Sequence, residues 1–202
     1  MARSAARRPP AALPEWIRPQ LTQLVQEAPE DPEWLHEIKF DGYRMHARLD
    51  CGAVRLLTRT GLDWTHKYPA LTAALSSLDA RQAYLDGEFC GVYPDGITSF
   101  GMIQAASDAG NAAGLVYFIF DLLHLDGEDL SALPLIERKA RLAALLSNAA
   151  PPLHYSDYHR GQGRVFHQKA CALSLELRAS SRNAPMPPIH PAIAAFGLRS
   201  NA

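Results

Sequence analysis

From Tyr43 to Asp50 apolar and polar side chains alternate without a break: Tyr43, Met45, Ala47 and Leu49 against Arg44, His46, Arg48 and Asp50. A two-residue period puts one set on each face of a strand, so this stretch is expected to be a strand buried on one side. Trp34 to Lys39 reads as a strand before it. Val54 to Arg59 continues the pattern after a Cys51-Gly52 turn, which together suggest an antiparallel meander. "AYLDGEFCGVY", residues 83–93, returns to strand character. Residues 115–125, "LVYFIFDLLHL", are almost continuously apolar and rich in β-branched and aromatic side chains, as suits a central strand covered on both faces. A turn at Asp126-Gly127 follows.

Helices are predicted between these strands. Pro69 opens one that sets Leu71, Leu75 and Leu78 on one face, and Pro134 introduces a second, through about Ser147, carrying Leu135, Leu142 and Leu146. A third follows Gly163, with Phe166, Ala170 and Leu173 sharing a face. A short helix is also expected around residues 20–28, closed by Pro29. Strands, helix, strands, helix, helix make the class α+β with mostly antiparallel sheet.

Composition narrows this picture only modestly. A chain of 202 residues has room for one domain with a real core. Its 20 Lys and Arg against 21 Asp and Glu leave a net charge of −1, which does not advertise nucleic-acid binding, although a local basic patch can sit inside a neutral total. Cys51, Cys90 and Cys171 lie far apart without metal-ligand spacing, as in a cytoplasmic protein with reduced thiols. No apolar run approaches the roughly 20 residues of a membrane span. Residues 1–14, "MARSAARRPPAALP", lack the apolar core of a secretory signal and read as a flexible leader. Beyond Leu177 the character changes: residues 178–202 hold four prolines, no acidic residue and no periodicity. The expected division is therefore a leader, a folded unit over 15–177 and an aberrant, disordered tail.

One stretch raises a chemical question. In "EIKFDGYR", residues 37–44, a lysine precedes an Asp-Gly turn signal and an arginine. Only a neutral amine attacks an electrophile, and burial beside Ile38 and Phe40 or a cation such as Arg44 favours the neutral form. Gly42 lets the backbone approach a phosphate closely, and Arg44 offers a fork of donors to phosphate oxygens. Taken alone, the pattern equally fits a solvated strand lysine beside a hairpin turn. Arg59-Thr60-Gly61 is either a surface turn or a second phosphate or ribose contact. Asp86-Gly87-Glu88 sets acids inside a strand pattern, where an inward carboxylate needs a sugar hydroxyl, a cation or a metal, and an outward one needs nothing. Phe120 is a core residue or a platform for a base.

Taken together, "EIKFDGYR", "TRTG", "LDGEF" and "FIFDLLHLDGEDL", in that order, resemble the motifs of covalent nucleotidyltransferases, above all the ATP-dependent DNA ligases. "PEWLHEIKFDGYR" and "YSDYHRGQGRVFHQKAC" are similar to the ligase domains of bacterial non-homologous end-joining ligases. The resemblance runs from about Glu15 to Glu176. It implies an antiparallel-sheet adenylation domain in which Lys39 attacks the α-phosphate of ATP and carries AMP. By matched position, Glu37 and the Ile38 backbone would lie near the adenine, and Arg44 and Arg59 would meet ribose or phosphate. Glu88 would bind the ribose hydroxyls or help position metal, Phe120 would stack on the adenine, and Glu176 would hold Mg2+ or Mn2+. The implied partners are nicked or broken duplex DNA and a Ku-type end-binding protein. Alternative readings are an RNA ligase or GTP-using capping enzyme, and a catalytically dead module that binds only nucleotide or partners.

The family pattern breaks after Glu176. A glycine, a hydrophobic pair and a lysine are expected there, but "LRASSR" follows, and no lysine occurs after Lys169. The OB-fold domain of the family has no counterpart. These departures lead to the expectation of a C-terminally truncated adenylation domain, its tail produced by a change of reading frame, with impaired activity.

Overall fold

The computed structural model describes residues 10–21, 23–24, 27–94, 96–109, 114–173, 175–181, 183 and 193–196. Two sheets organise it. One has the order β1 (Gln23–Leu24), β12 (Ile193–Phe196), β11 (Glu176–Ser181), β2 (Trp34–Lys39) and β10 (His159–Arg160). The other runs β4 (Ala53–Thr58), β3 (Tyr43–Asp50), β5 (Gln82–Val92), β7 (Leu115–Leu125) and β8 (Glu128–Asp129). In this larger sheet β6 (Thr98–Ser99) pairs with β5, and β9 (Leu153–Tyr155) pairs with β7. Only β1–β12 and β7–β9 are parallel pairings among the described strands. The α+β, mainly antiparallel class stands.

The predicted alternation explains how the larger sheet packs. Met45, Ala47 and Leu49 of β3 and Leu85 and Phe89 of β5 share one buried cluster with Leu71 and Leu75 of α1 (Pro69–Ser76). Ile103 of α2 (Phe100–Ala109) and Leu142 of α3 (Leu135–Leu145) complete the layer. Each such leucine removed from water contributes about 1.5–3 kcal/mol. The opposite face of β3 and β5 is not solvent-facing as the pattern predicts: His46 and Asp86 are buried there, and Arg44 is half-buried. Two further layers cover it. One is the smaller sheet. The other is the chain before β1, where Leu13 and Ile17 pack on Tyr84 and Leu123.

Several expectations are corrected by this arrangement. Residues 23–24 form strand, not helix; residues 22, 25 and 26 lie outside the described residues. Of the expected leader over 1–14, residues 1–9 lie outside the described residues; residues 10–14 are tied to the fold, since the Ala11 amide donates to Gly127 O (2.7 Å) and Arg48 Nε to Pro14 O (3.1 Å). Position 177 is not a boundary of order either, because β11 runs through it and pairs residue by residue with β2. In α4 (Gly163–Ala172), Phe166 and Ala170 pack on β2 and β11, but Leu173 lies past the helix end and is 65% exposed.

Asp41-Gly42 makes no hairpin. β2 belongs to the smaller sheet and β3 to the larger, so these two residues carry the chain from one sheet to the other. Gly42 is required by that passage: a Cβ there would press into the Phe89 carbonyl and lie 2.7 Å from Cys90 Sγ. Backbone on one side leaves no room to yield. Gly42→Ala is therefore expected to destabilise the fold by about 1–3 kcal/mol, as overpacking does, read as a lower urea midpoint.

Candidate functional site

The cleft between the two sheets gathers most of the residues singled out in the sequence. Among the described residues its walls are the 38–42 segment with Arg44, Glu88, Phe120 and Arg178. Lys39 ends β2, directly opposite Glu176 at the start of β11, and its Nζ donates to Glu176 Oε2. Both side chains are partly exposed at the mouth. Phe40, one residue on, stacks flat on Phe118 of β7, with centroids 3.8 Å apart and planes 5° off parallel. That ring pair ties the passage between the sheets to the larger sheet.

Strand register explains the other wall. Arg44 stands opposite Glu88, and His46 opposite Asp86, so all four side chains share the cleft face of β3 and β5. Arg44 donates from Nε and NH2 to the two oxygens of Asp86, at 2.7 and 2.6 Å. His46 Nε2 lies 3.2 Å from the same carboxylate, and Nδ1 lies 2.8 Å from Tyr84 OH. Burial opposes ionisation of Asp86, but the Arg44 guanidinium and His46 outweigh it and hold the carboxyl well below the usual range.

Among the described residues Glu88 has no such partner. Burial pushes it up to about 7 from an ordinary 4.5, against the pull of Arg44. A carboxyl raised in this way contributes stability that is fully present below pH 4.5 and is lost as pH rises through about 7. Glu88→Gln should remove that loss. Its urea-derived stability is expected to gain on the wild type by roughly 2 kcal/mol between pH 4.5 and 8.

Phe120 reaches the cleft through an irregularity. On β7, Asp121 pairs with Asp86 and Ile119 with Gly87, so Phe120 is the residue left over in the ladder. A bulge of this kind re-aims side chains. Here Phe120 and Asp121 both come to line one small cavity behind the cleft. Asp121 takes two bonds from Arg138 of α3, at 2.8 and 2.9 Å, which pins that helix to the sheet. The Phe120 ring receives two guanidinium groups, Arg178 at 4.0 Å and Arg44 at 4.7 Å from its centroid.

Glu37 faces inward. Lys139 Nζ and Ser156 Oγ donate to its Oε1, and Arg178 NH2 to its Oε2 at 2.7 Å. Burial works against this carboxylate, and Arg178 and Lys139 together keep it below its ordinary value. It lines the small cavity rather than the open cleft, which its neighbour Ile38 does line. Arg59 sits exposed in the turn after β4 and is not among the cleft residues.

Sequence reasoning missed Phe118, Lys139, Ser156 and Arg178. The only signal for Lys139 was a cation on the inner face of a predicted helix. Arg178 was assigned to the disordered tail, so its place beside Glu37 had no signal at all. Among the described residues no group of three or more His, Cys, Asp or Glu is gathered as a metal cage. Glu88 and Glu176 nevertheless offer two carboxylates beside Lys39, a fitting set for Mg2+, which takes one or two carboxylates and fills its sphere with water and phosphate oxygens. No described helix is long and apolar enough to cross a membrane.

Comparison with known proteins agrees with this geometry. The model of the ATP dependent DNA ligase domain matches residues 18–170, more than half of the chain. The multifunctional non-homologous end joining protein LigD of Pseudomonas aeruginosa is 42% identical over 165 residues, covering 81% of this chain and 20% of that protein. The chain thus spans about a fifth of that relative's length. The ligase domain of LigD from M. tuberculosis superposes with a TM-score of 0.77 at 29% identity, over 89% of this chain and 58% of that one. A mycobacterial DNA ligase D complexed with ATP gives a TM-score of 0.76 at 28% identity, over 90% and 60%. With its two sheets, its inter-sheet lysine and these matches, the chain belongs to the ATP-dependent DNA ligase family and has the fold of that family's adenylation domain.

Proposed function

We propose that the chain performs the nucleotide-activation step of DNA joining. Lys39 Nζ attacks the α-phosphorus of ATP, pyrophosphate leaves, and AMP stays on the amine as a phosphoramidate. The AMP then passes to the 5′-phosphate of a nicked or broken duplex, and a 3′-hydroxyl displaces it. The observation that carries this reading is the place of Lys39: its amine stands at the mouth of the inter-sheet cleft, bonded to Glu176 and followed by residues that line the cleft with Glu88 and Phe120.

The other groups have roles that suit their surroundings. Glu176 positions the Lys39 amine by accepting from its Nζ. Glu88 faces the sugar hydroxyls, and Phe120 supplies a flat face for the base. Ile38 adds apolar wall. Glu37 positions β2 and Arg178 from behind. Arg44 keeps NH1 for the nucleotide while Nε and NH2 hold Asp86. Arg59 approaches only a ligand that extends beyond the described cleft. Glu88 and Glu176 would hold Mg2+ or Mn2+; bound there, the metal would offset charge developing on the pyrophosphate. DNA, a Ku-type end-binding protein and a cytoplasmic location complete the proposal by analogy with the end-joining relatives.

Incubation with α-labelled ATP and magnesium tests it. Acid-labile label on the chain with release of pyrophosphate is the expected result. Stronger labelling from GTP would indicate capping-type chemistry, and binding without covalent label would indicate a dead module.

A further inference from the structure

The ring proposed to receive the base is not open. Phe120 is only 6% exposed, and the guanidinium carbon of Arg178 stands 4.0 Å from its centroid. A base stacked on an aromatic ring needs that same space, at a centroid separation of about 4.5 Å or slightly more. Either Arg178 or Arg44 must therefore leave the ring when a nucleotide enters.

The two guanidinium groups are held very differently. Arg44 grips Asp86 with two donors, and Asp86 is 1% exposed, so moving Arg44 would strand a buried carboxylate. Among the described residues the Arg178 side chain donates a single bond, from NH2 to Glu37, and its buried Nε has no hydrogen-bond partner. If Arg178 swings away, Glu37 keeps Lys139 and Ser156 on its other oxygen and remains compensated. Arg178 also lines the open cleft as well as the small cavity behind it, so it stands at the wall between them.

We propose that Arg178 is a gate on the base subsite. In the closed position its guanidinium covers Phe120, and an adenine nucleotide binds in the fraction of molecules where it has swung off the ring. The inference rests on the reading of Phe120 as the base platform. A closed gate lowers apparent affinity by the open fraction. Removing it strengthens binding, the opposite of what happens when a phosphate-holding arginine is lost.

The sign of that effect is the test. ATP binding is measured by calorimetry on the full chain carrying Lys39→Ala, which prevents covalent capture, with and without Arg178→Met. Circular dichroism melts check that both fold. Arg178→Met is expected to bind ATP about tenfold more tightly. A second measurement needs no change at position 178. Brief treatment of the wild type with an arginine-specific dicarbonyl, followed by peptide mass spectrometry, should show Arg178 modified faster with saturating ATP than without. Unchanged or weaker binding in Arg178→Met, or protection of Arg178 by ATP, overturns the gate while covalent labelling of Lys39 still supports the activation chemistry. Failure of every form of the chain to bind or be labelled by ATP overturns the base-platform reading and the gate with it.

Discussion

Lys39→Ala protein incubated with α-labelled ATP and magnesium is expected to carry no covalent label, a loss of roughly a thousandfold or more against the wild type. The phosphoramidate bond needs an amine nitrogen with a free electron pair. Among the described residues lining the cleft, Lys39 supplies the one amine; Arg44 and Arg178 carry delocalised guanidinium groups instead. Lys39→Arg should fail equally, although it keeps a cation opposite Glu176. Loss of folding would not explain the result. The Lys39–Glu176 pair is 43% and 41% exposed, and exposed pairs contribute at most about 1 kcal/mol. A Lys39→Ala chain that melts like the wild type and still takes up label would remove Lys39 from the chemistry.

Asp86→Ala is expected to be the most destabilising change in the cleft wall, by about 3–5 kcal/mol. Its carboxylate is the shared acceptor for the Arg44 fork and lies 3.2 Å from buried His46. Without it the half-buried Arg44 guanidinium loses the carboxylate that takes both of its donors and faces a cavity in its place. Urea unfolding at neutral pH measures the effect. The folded-state value of Asp86 lies below its ordinary 3.8, so its contribution is present above that pH and is lost as pH falls through the folded value. The gap between wild type and Asp86→Ala should therefore narrow in acid. A gap that stays constant down to pH 2 would show that the ion pair is not its source.

Local rules carried the elements far. Alternation at residues 43–49 predicts β3, and the apolar run at 115–125 predicts the buried β7. Pro69 and Pro134 mark the starts of α1 and α3. Each of these depends on a period or a backbone restriction that neighbouring residues enforce by themselves. α2 has little sequence signal because "FGMIQAASDA" is mostly small residues, and among its described side chains only Ile103 is a fully buried anchor. The stretch around residues 20–28 reads as helical in isolation, yet Gln23 and Leu24 pair with β12, a partner far away in the chain.

The sequence by itself determined the antiparallel α+β class, the ring, acids and lysine of the cleft, and the family to which they point. Motifs of this kind are short, and each sits on one strand or turn. Tertiary structure alone decided what those side chains face. Asp41-Gly42 became a passage between sheets because β2 found β11 and β10 as partners, not β3. The polar side of β3 became a site because a second sheet and an N-terminal strap cover it. Glu37 acquired Lys139 from 102 residues away and Arg178 from 141 residues away. Such pairings depend on desolvation and on strand register across the whole fold, which no local pattern encodes.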